Sequence, residues 1–209
     1  MSDADISAND LAAAETAPSR KRPKPGERRV QILQALATML EQPGAERITT
    51  AALAARLEVS EAALYRHFAS KAQMFEGLIE FIEQSVFTLV NQIAEREPSG
   101  SSQAARIVTM LVQFAEKNPG MTRVMVGDAL VYENERLQQR MNQFFDKIET
   151  SLKQCLRTDG EGTATPTVEA QVRASMLTAF VVGRLQRFAR SGFKRTPSEH
   201  LEASLSRML

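Results

Sequence analysis

The chain has 209 residues, 43% hydrophobic and 24% charged, with a formal net charge of +1; this is the profile of a globular protein of one or two domains with a substantial core, and it excludes disordered and fibrous chains. No apolar run approaches the roughly 18 residues of a membrane span, and the opening MSDADISAND lacks the basic start and apolar stretch of a secretion signal, which predicts a cytoplasmic protein with no membrane partner. A single cysteine, Cys155, excludes an internal disulfide framework, and with only His67 and His200 beside it neither a metal site nor a cofactor is expected.

Residues 1–25, rich in Ala, Asp and Ser and then in Pro and Lys, have no apolar period and read as a disordered arm. RKRPKPGERR, residues 20–29, runs across the end of the arm with six bases against one acid. Such a run suggests a polyanion partner, and it reads equally as a solvated tail. After Pro25-Gly26, Val30, Leu33, Ala37 and Leu40, joined by Ile32, Leu36 and Met39, give helical spacing until Pro43-Gly44.

Two short helices follow in RITTAALAARLEVSEAALYRHFASK, residues 47–71. Thr49 or Thr50 caps the first, which runs through Leu53 and Leu57; Glu58-Val59-Ser60 makes a tight turn, and Ser60 caps a second through Leu64 to Phe68. Two short helices on such a turn, sharing Leu53, Leu57, Val59, Leu64 and Phe68 as core, form a helix-turn-helix unit. Its second helix presents Glu61, Ala62, Tyr65 and Arg66 outward, short side chains near the start and hydrogen-bonding ones beyond, while Tyr65 and His67 suit phosphate contacts. Singly, each has a plainer explanation: the threonine is only a cap, Tyr65 packs, His67 is solvated.

Ser70 and Gln73 read as a capping box that fixes Lys71 at the first position of the next helix. A cation there opposes the helix dipole, and a DNA phosphate is the most economical negative partner for it. This long helix, from Lys71 to about Ala94, carries Phe75, Leu78, Ile79, Ile82, Val86, Leu89, Val90 and Ile93 on one face. Phe81 falls away from that stripe with Met74 on its side, either as an exposed anchor for a partner or as a residue packed under a neighbouring element.

Further helices are expected over Ser102 to Lys117, within 121–132, and along the stripe Leu137, Met141, Phe144, Phe145, Ile148, Leu152, Cys155 and Leu156, where the cysteine reads as core rather than nucleophile. TDGEGTATP, residues 158–166, is a loop. The helix over 166–190 has two opposed apolar stripes: Val168, Val172, Met176, Ala179 and Phe180 on one side, and Leu177, Val181, Leu185 and Phe188 on the other. One stripe meets the chain's own core and the other a second copy at Val172, Met176 and Phe180, with Gly183 permitting close approach; a fully internal helix is the alternative. Thr196-Pro197-Ser198-Glu199 reads as a capping box starting a final helix with Leu201, Leu205 and Met208 inward. With no strand pattern the fold class is all-α, about nine helices, divided into the arm, a domain over 26–70 and a helical domain over 71–209.

The stretch from residue 47 to 75 resembles the DNA-binding module of the TetR family in its threonine-led helix, Val59-Ser60 turn, Leu64-Tyr65-Arg66-His67-Phe68 recognition segment and Ser70-Lys71. The resemblance implies an all-α homodimer reading palindromic DNA through one three-helix head per half-site. It assigns DNA contacts to Thr49, Thr50, Ser60, Ala62, Tyr65, His67 and Lys71. LIEFIEQS, EKNPGMTRV and RLQQRMNQFFDKIE are similar to a nucleoid-occlusion branch of that family, whose members bind chromosomal sites and, on DNA, bind the tubulin-like division protein FtsZ and antagonise its polymers. This likeness implies a nucleoid-associated protein with partner contacts at Phe81, Lys117 and Asn118. The competing expectation is a ligand-responsive TetR-type repressor, which needs an apolar cavity with convergent polar groups. With no nucleophile and base pair, metal spacing or glycine-rich phosphate loop, no catalytic residues are expected and the chain is not read as an enzyme.

Overall fold

The computed structural model describes residues 26–42, 48–158 and 166–209; the arm over 1–25, the Pro43-Gly44 stop and most of the 158–166 loop lie outside them. The described residues form nine α-helices, one 3-10 turn and no strand. The first helix, α1 (Glu27–Leu40), buries Ile32, Leu36, Ala37 and Leu40. Val30, expected on that stripe, is 53% exposed because four turns of helix leave the first one beyond the edge of the core.

The helices α2 (Thr50–Arg56) and α3 (Glu61–Tyr65) are capped by Thr49 and Ser60. Between them, Val59 N–H donates back to the Ala54 carbonyl at 3.0 Å, closing the turn. Their shared core is Leu53, Ala54, Leu64 and Phe68, with Leu57 and Val59 half-buried. The recognition helix is shorter than its sequence pattern: His67 and Phe68 follow it in a turn, both donating to the Leu64 carbonyl.

The long helix α4 (Lys71–Arg96) runs from this unit into the body, burying Phe75, Leu78, Ile79, Ile82, Val86 and Val90 as its spacing predicts. Gly77 lets it approach α1 closely, since a Cβ there would meet Phe68 at 3.2 Å and Leu33 at 3.3 Å. The body continues with α5 (Gly100–Lys117), α6 (Pro119–Met125), the 3-10 turn Asp128–Leu130, α7 (Glu135–Thr158) and α8 (Pro166–Arg190). Leu137, Met141, Phe144, Ile148, Leu152, Cys155 and Leu156 are all buried, so the cysteine is a core residue.

The last helix, α9 (Leu201–Met208), starts four residues later than the Thr196-Pro197-Ser198-Glu199 signal implied. Pro197 is buried instead, and Arg184 of α8 donates to the carbonyls of Pro197 and Glu199 and to Ser204 Oγ. Those tertiary bonds hold 197–200 as turns, and the helix begins only after His200. Among the described residues no helix is long and apolar enough to cross a membrane, and none of their His, Cys, Asp and Glu side chains cluster in threes that could hold a metal ion.

Candidate nucleic-acid interface

The N-termini of α2 and α3 present their caps to solvent. Thr49 Oγ1 accepts from Ala52 N at 3.1 Å and Ser60 Oγ from Ala63 N at 3.3 Å, which satisfies one orphan N–H in each helix and fixes where each starts. Side chains then tie the two helices together. Tyr65 Oη donates to Thr50 Oγ1 at 3.5 Å, and Thr50 donates in turn to Glu61 Oε2 at 2.6 Å. Ala62, beside Glu61, is exposed and Tyr65 is 44% exposed, so this corner offers a shallow polar surface that a nucleic acid could approach. Glu61, read from sequence as an outward side chain of the second helix but not as a DNA contact, belongs to this network.

The turn that sets the angle between α2 and α3 holds Glu58 at φ 54, in the left-handed region that a side chain disfavours. Replacing Glu58 with glycine is therefore expected to raise the melting temperature by about 2–4 °C, the equivalent of about 1 kcal/mol for a chain of this size, as read by thermal unfolding. An unchanged or lower value would mean that the carboxylate's interactions outweigh the strain.

His67 is exposed, and its carbonyl accepts from Arg29 at 2.5 Å. The Arg29 guanidinium also lies 4.0 Å from the centroid of the Phe68 ring. One base of the RKRPKPGERR run thus anchors α1 to the end of α3, a cation–π and hydrogen-bond role that composition does not reveal.

Ser70 Oγ accepts from Gln73 N at 3.2 Å, while Gln73 Oε1 accepts from Ala69 N at 2.9 Å, one residue further back than a simple capping box. Lys71 is the first helical residue, as read from sequence. Its Nζ lies 2.5 Å from Glu133 Oε1, 62 residues away in the link before α7. The negative partner that the sequence assigned to DNA already has an occupant within the chain. Two further pairs continue along α4: Arg136 with Glu76 at 2.6 Å and Arg140 with Glu83 at 3.2 and 2.5 Å. The hydrogen bonds that Arg140 donates to Glu83 hold its guanidinium's pKa above its ordinary value, against the opposing effect of burial.

Phe81 is 48% exposed on α4. Met74, expected on its side, is fully buried, so the two do not share an exposed face. Lys117 is exposed at the end of α5, and Asn118 turns its amide inward, Nδ2 donating to the Phe114 carbonyl at 2.7 Å. Asn118 therefore holds the corner between α5 and α6. A groove of about 340 Å³ runs between α4 and α5, with Leu89, Ile93 and Met110 as its apolar lining and Arg96 and Arg106 at its rim. Leu89, assigned to the inner stripe from its spacing, is 38% exposed there.

On α8, Leu177, Val181, Leu185 and Phe188 are buried, whereas Val168, Val172 and Met176 are more than half exposed and Phe180 is half-buried. A Cβ at Gly183 would meet nothing within 4 Å, so the close approach it permits is to nothing within this chain.

A small helix-turn-helix head continuous with an all-helical body defines a class: bacterial regulators of the TetR type. The N-terminal unit matches "Bacterial regulatory proteins, tetR family" over residues 32–78, and the body matches the SlmA-like "Tetracyclin repressor-like, C-terminal domain" over 102–208. The nucleoid occlusion factor SlmA of Vibrio vulnificus is 52% identical over 182 residues, spanning 86% of this chain and 92% of that protein; that of Idiomarina loihiensis is 51% identical, spanning 84% and 90%. The chain belongs to the SlmA family of nucleoid occlusion factors, within the TetR regulators. Its fold is similar to that of the MbdR regulator of Azoarcus sp. CIB, with a TM-score of 0.71 at 18% identity over 86% of this chain and 96% of that one. That family is one of regulatory proteins rather than an enzyme class.

Proposed function

We propose that this protein is a nucleoid occlusion factor: a homodimer that reads palindromic chromosomal sites and, while bound there, binds FtsZ and antagonises its polymers, keeping the division ring off the nucleoid. The observation that carries the reading is identity of about half over most of the chain with proteins of that name, joined to an exposed helix-turn-helix corner. In this reading Thr49, Thr50, Ser60, Ala62, Tyr65, His67 and Lys71 face DNA, the outward stripe of α8 at Val172, Met176, Phe180 and Gly183 joins the two copies, and Phe81 with Lys117 meets FtsZ, Asn118 shaping that corner. The protein works in the cytoplasm on the nucleoid, with no cofactor. A ligand-responsive repressor is the weaker alternative.

The decisive experiment follows FtsZ polymers by light scattering with wild type, Tyr65→Ala and Phe81→Ala, each with and without the selected DNA site. Wild type with its site is expected to reduce the polymer signal. Tyr65→Ala should lose about five- to 150-fold in DNA affinity and with it the DNA-dependent effect, as expected for about 1–3 kcal/mol at a recognition residue. Phe81→Ala should keep DNA affinity and lose the effect on polymers. If specific DNA makes no difference to FtsZ and a metabolite instead releases the protein from DNA, the repressor reading replaces this one.

A further inference from the structure

The α4 helix begins with a cation at its positive end, and the structure shows what neutralises it. Lys71 Nζ sits 2.5 Å from Glu133 Oε1, with the lysine side chain 27% exposed and the glutamate only 10%. Glu133 stands in the link between the 3-10 turn and α7, so this bond joins the helix-turn-helix end of α4 to the body. The Arg136–Glu76 and Arg140–Glu83 pairs fasten α4 to α7 further along. They differ from the first in position: Lys71 stands four residues beyond the exposed His67, and of the three cations it is the nearest in sequence to the Tyr65–His67 corner.

We propose that the Lys71–Glu133 pair is a latch that DNA opens: a backbone phosphate competes with Glu133 for the same ammonium group, so DNA engagement releases the link before α7 from the start of α4. This rests on the DNA-binding reading above and adds its regulation. The competition follows from charge. A phosphate and a carboxylate brought to the same ammonium group repel each other, so an arriving phosphate disfavours Glu133 there, and the helix N-terminus favours either anion. When Lys71 turns to DNA, Glu133 loses its partner, and a carboxylate that is nine-tenths buried must then move toward water. The link carrying it includes Val131 and Tyr132, 67% and 69% exposed, which gives it room to move without breaking core contacts. DNA occupancy is thereby felt on α7, whose next two arginines grip α4 on either side of Phe81 in sequence.

The test compares full-length wild type, Glu133→Gln, Lys71→Gln and the double variant for binding to the selected DNA site across a salt series. Glu133→Gln keeps the shape and removes the competing charge. It is expected to bind more tightly, with the slope of log affinity against log salt unchanged, because Lys71 meets phosphate in both complexes and only the cost of displacing Glu133 is removed. In the Lys71→Gln background the same change should give no gain. An equal gain in both backgrounds would show a diffuse charge effect, and a loss of affinity in Glu133→Gln would show a strut that positions the head; either outcome overturns the latch. In wild type, amide exchange of residues 131–137 should speed up when specific DNA is added, and unchanged or slower exchange there also overturns it. If wild type selects no DNA sequence at all, the DNA-binding reading fails first.

Discussion

Replacing Gly120 with alanine is expected to destabilise the protein by about 1–3 kcal/mol, a fall in melting temperature of roughly 2–4 °C for each kcal/mol in a chain of this size. Helix propensity alone predicts the opposite sign, since alanine exceeds glycine by up to about 1 kcal/mol in a helix. Packing decides it. A Cβ at Gly120 would lie 1.9 Å from the Ala37 carbonyl oxygen and 2.9 Å from its carbon, a collision with backbone that no rotamer change relieves. α6 or α1 must therefore shift. Because α1 carries the helix-turn-helix unit through Arg29 and α6 begins directly after Asn118, the shift should also weaken DNA binding. Thermal unfolding with DNA titration checks both, and a stabilised Gly120→Ala protein would mean that α1 and α6 do not meet this closely.

Met176→Asp is expected to convert the homodimer to monomers and to reduce affinity for a palindromic site by about 10²–10⁴, the advantage lost when two linked reading heads become independent. The argument rests on what α8 leaves uncovered. Met176 and Val172 are each 53% exposed and Val168 is 61% exposed on one face, while the opposite face is fully buried. An aspartate on the outward face touches no core of its own chain, so the monomer should keep its helix content and most of its thermal stability. Analytical ultracentrifugation with circular dichroism separates the outcomes. A dimer that survives the substitution, or a protein that unfolds because of it, would mean that this face is not where two copies join.

The helix-turn-helix unit was legible because its determinants are local. A cap bonds the N–H three residues on, a turn is written in three residues, and the apolar spacing of Leu53, Leu64 and Phe68 sorts inside from outside within one short stretch. The stripe of α7 was legible for the same reason, and so was the two-sidedness of α8. Local signals also misled where distant groups intervened. The residues around Pro197 read as a helix start until Arg184 claimed their carbonyls, and Met74 read as a companion of Phe81 although packing buries it fully and leaves Phe81 exposed.

By itself, then, the sequence determined an all-helical chain with a helix-turn-helix unit near its start, since helix period, caps and turn chemistry act over a few residues. Only the tertiary structure decided that Lys71 meets Glu133, that Arg29 serves α1 rather than the arm, and that Gly120 presses α6 against α1. Each of those contacts joins positions from 38 to 83 residues apart, and which groups meet at such separations depends on how helices pack, a choice that no local pattern of charge or hydrophobicity encodes.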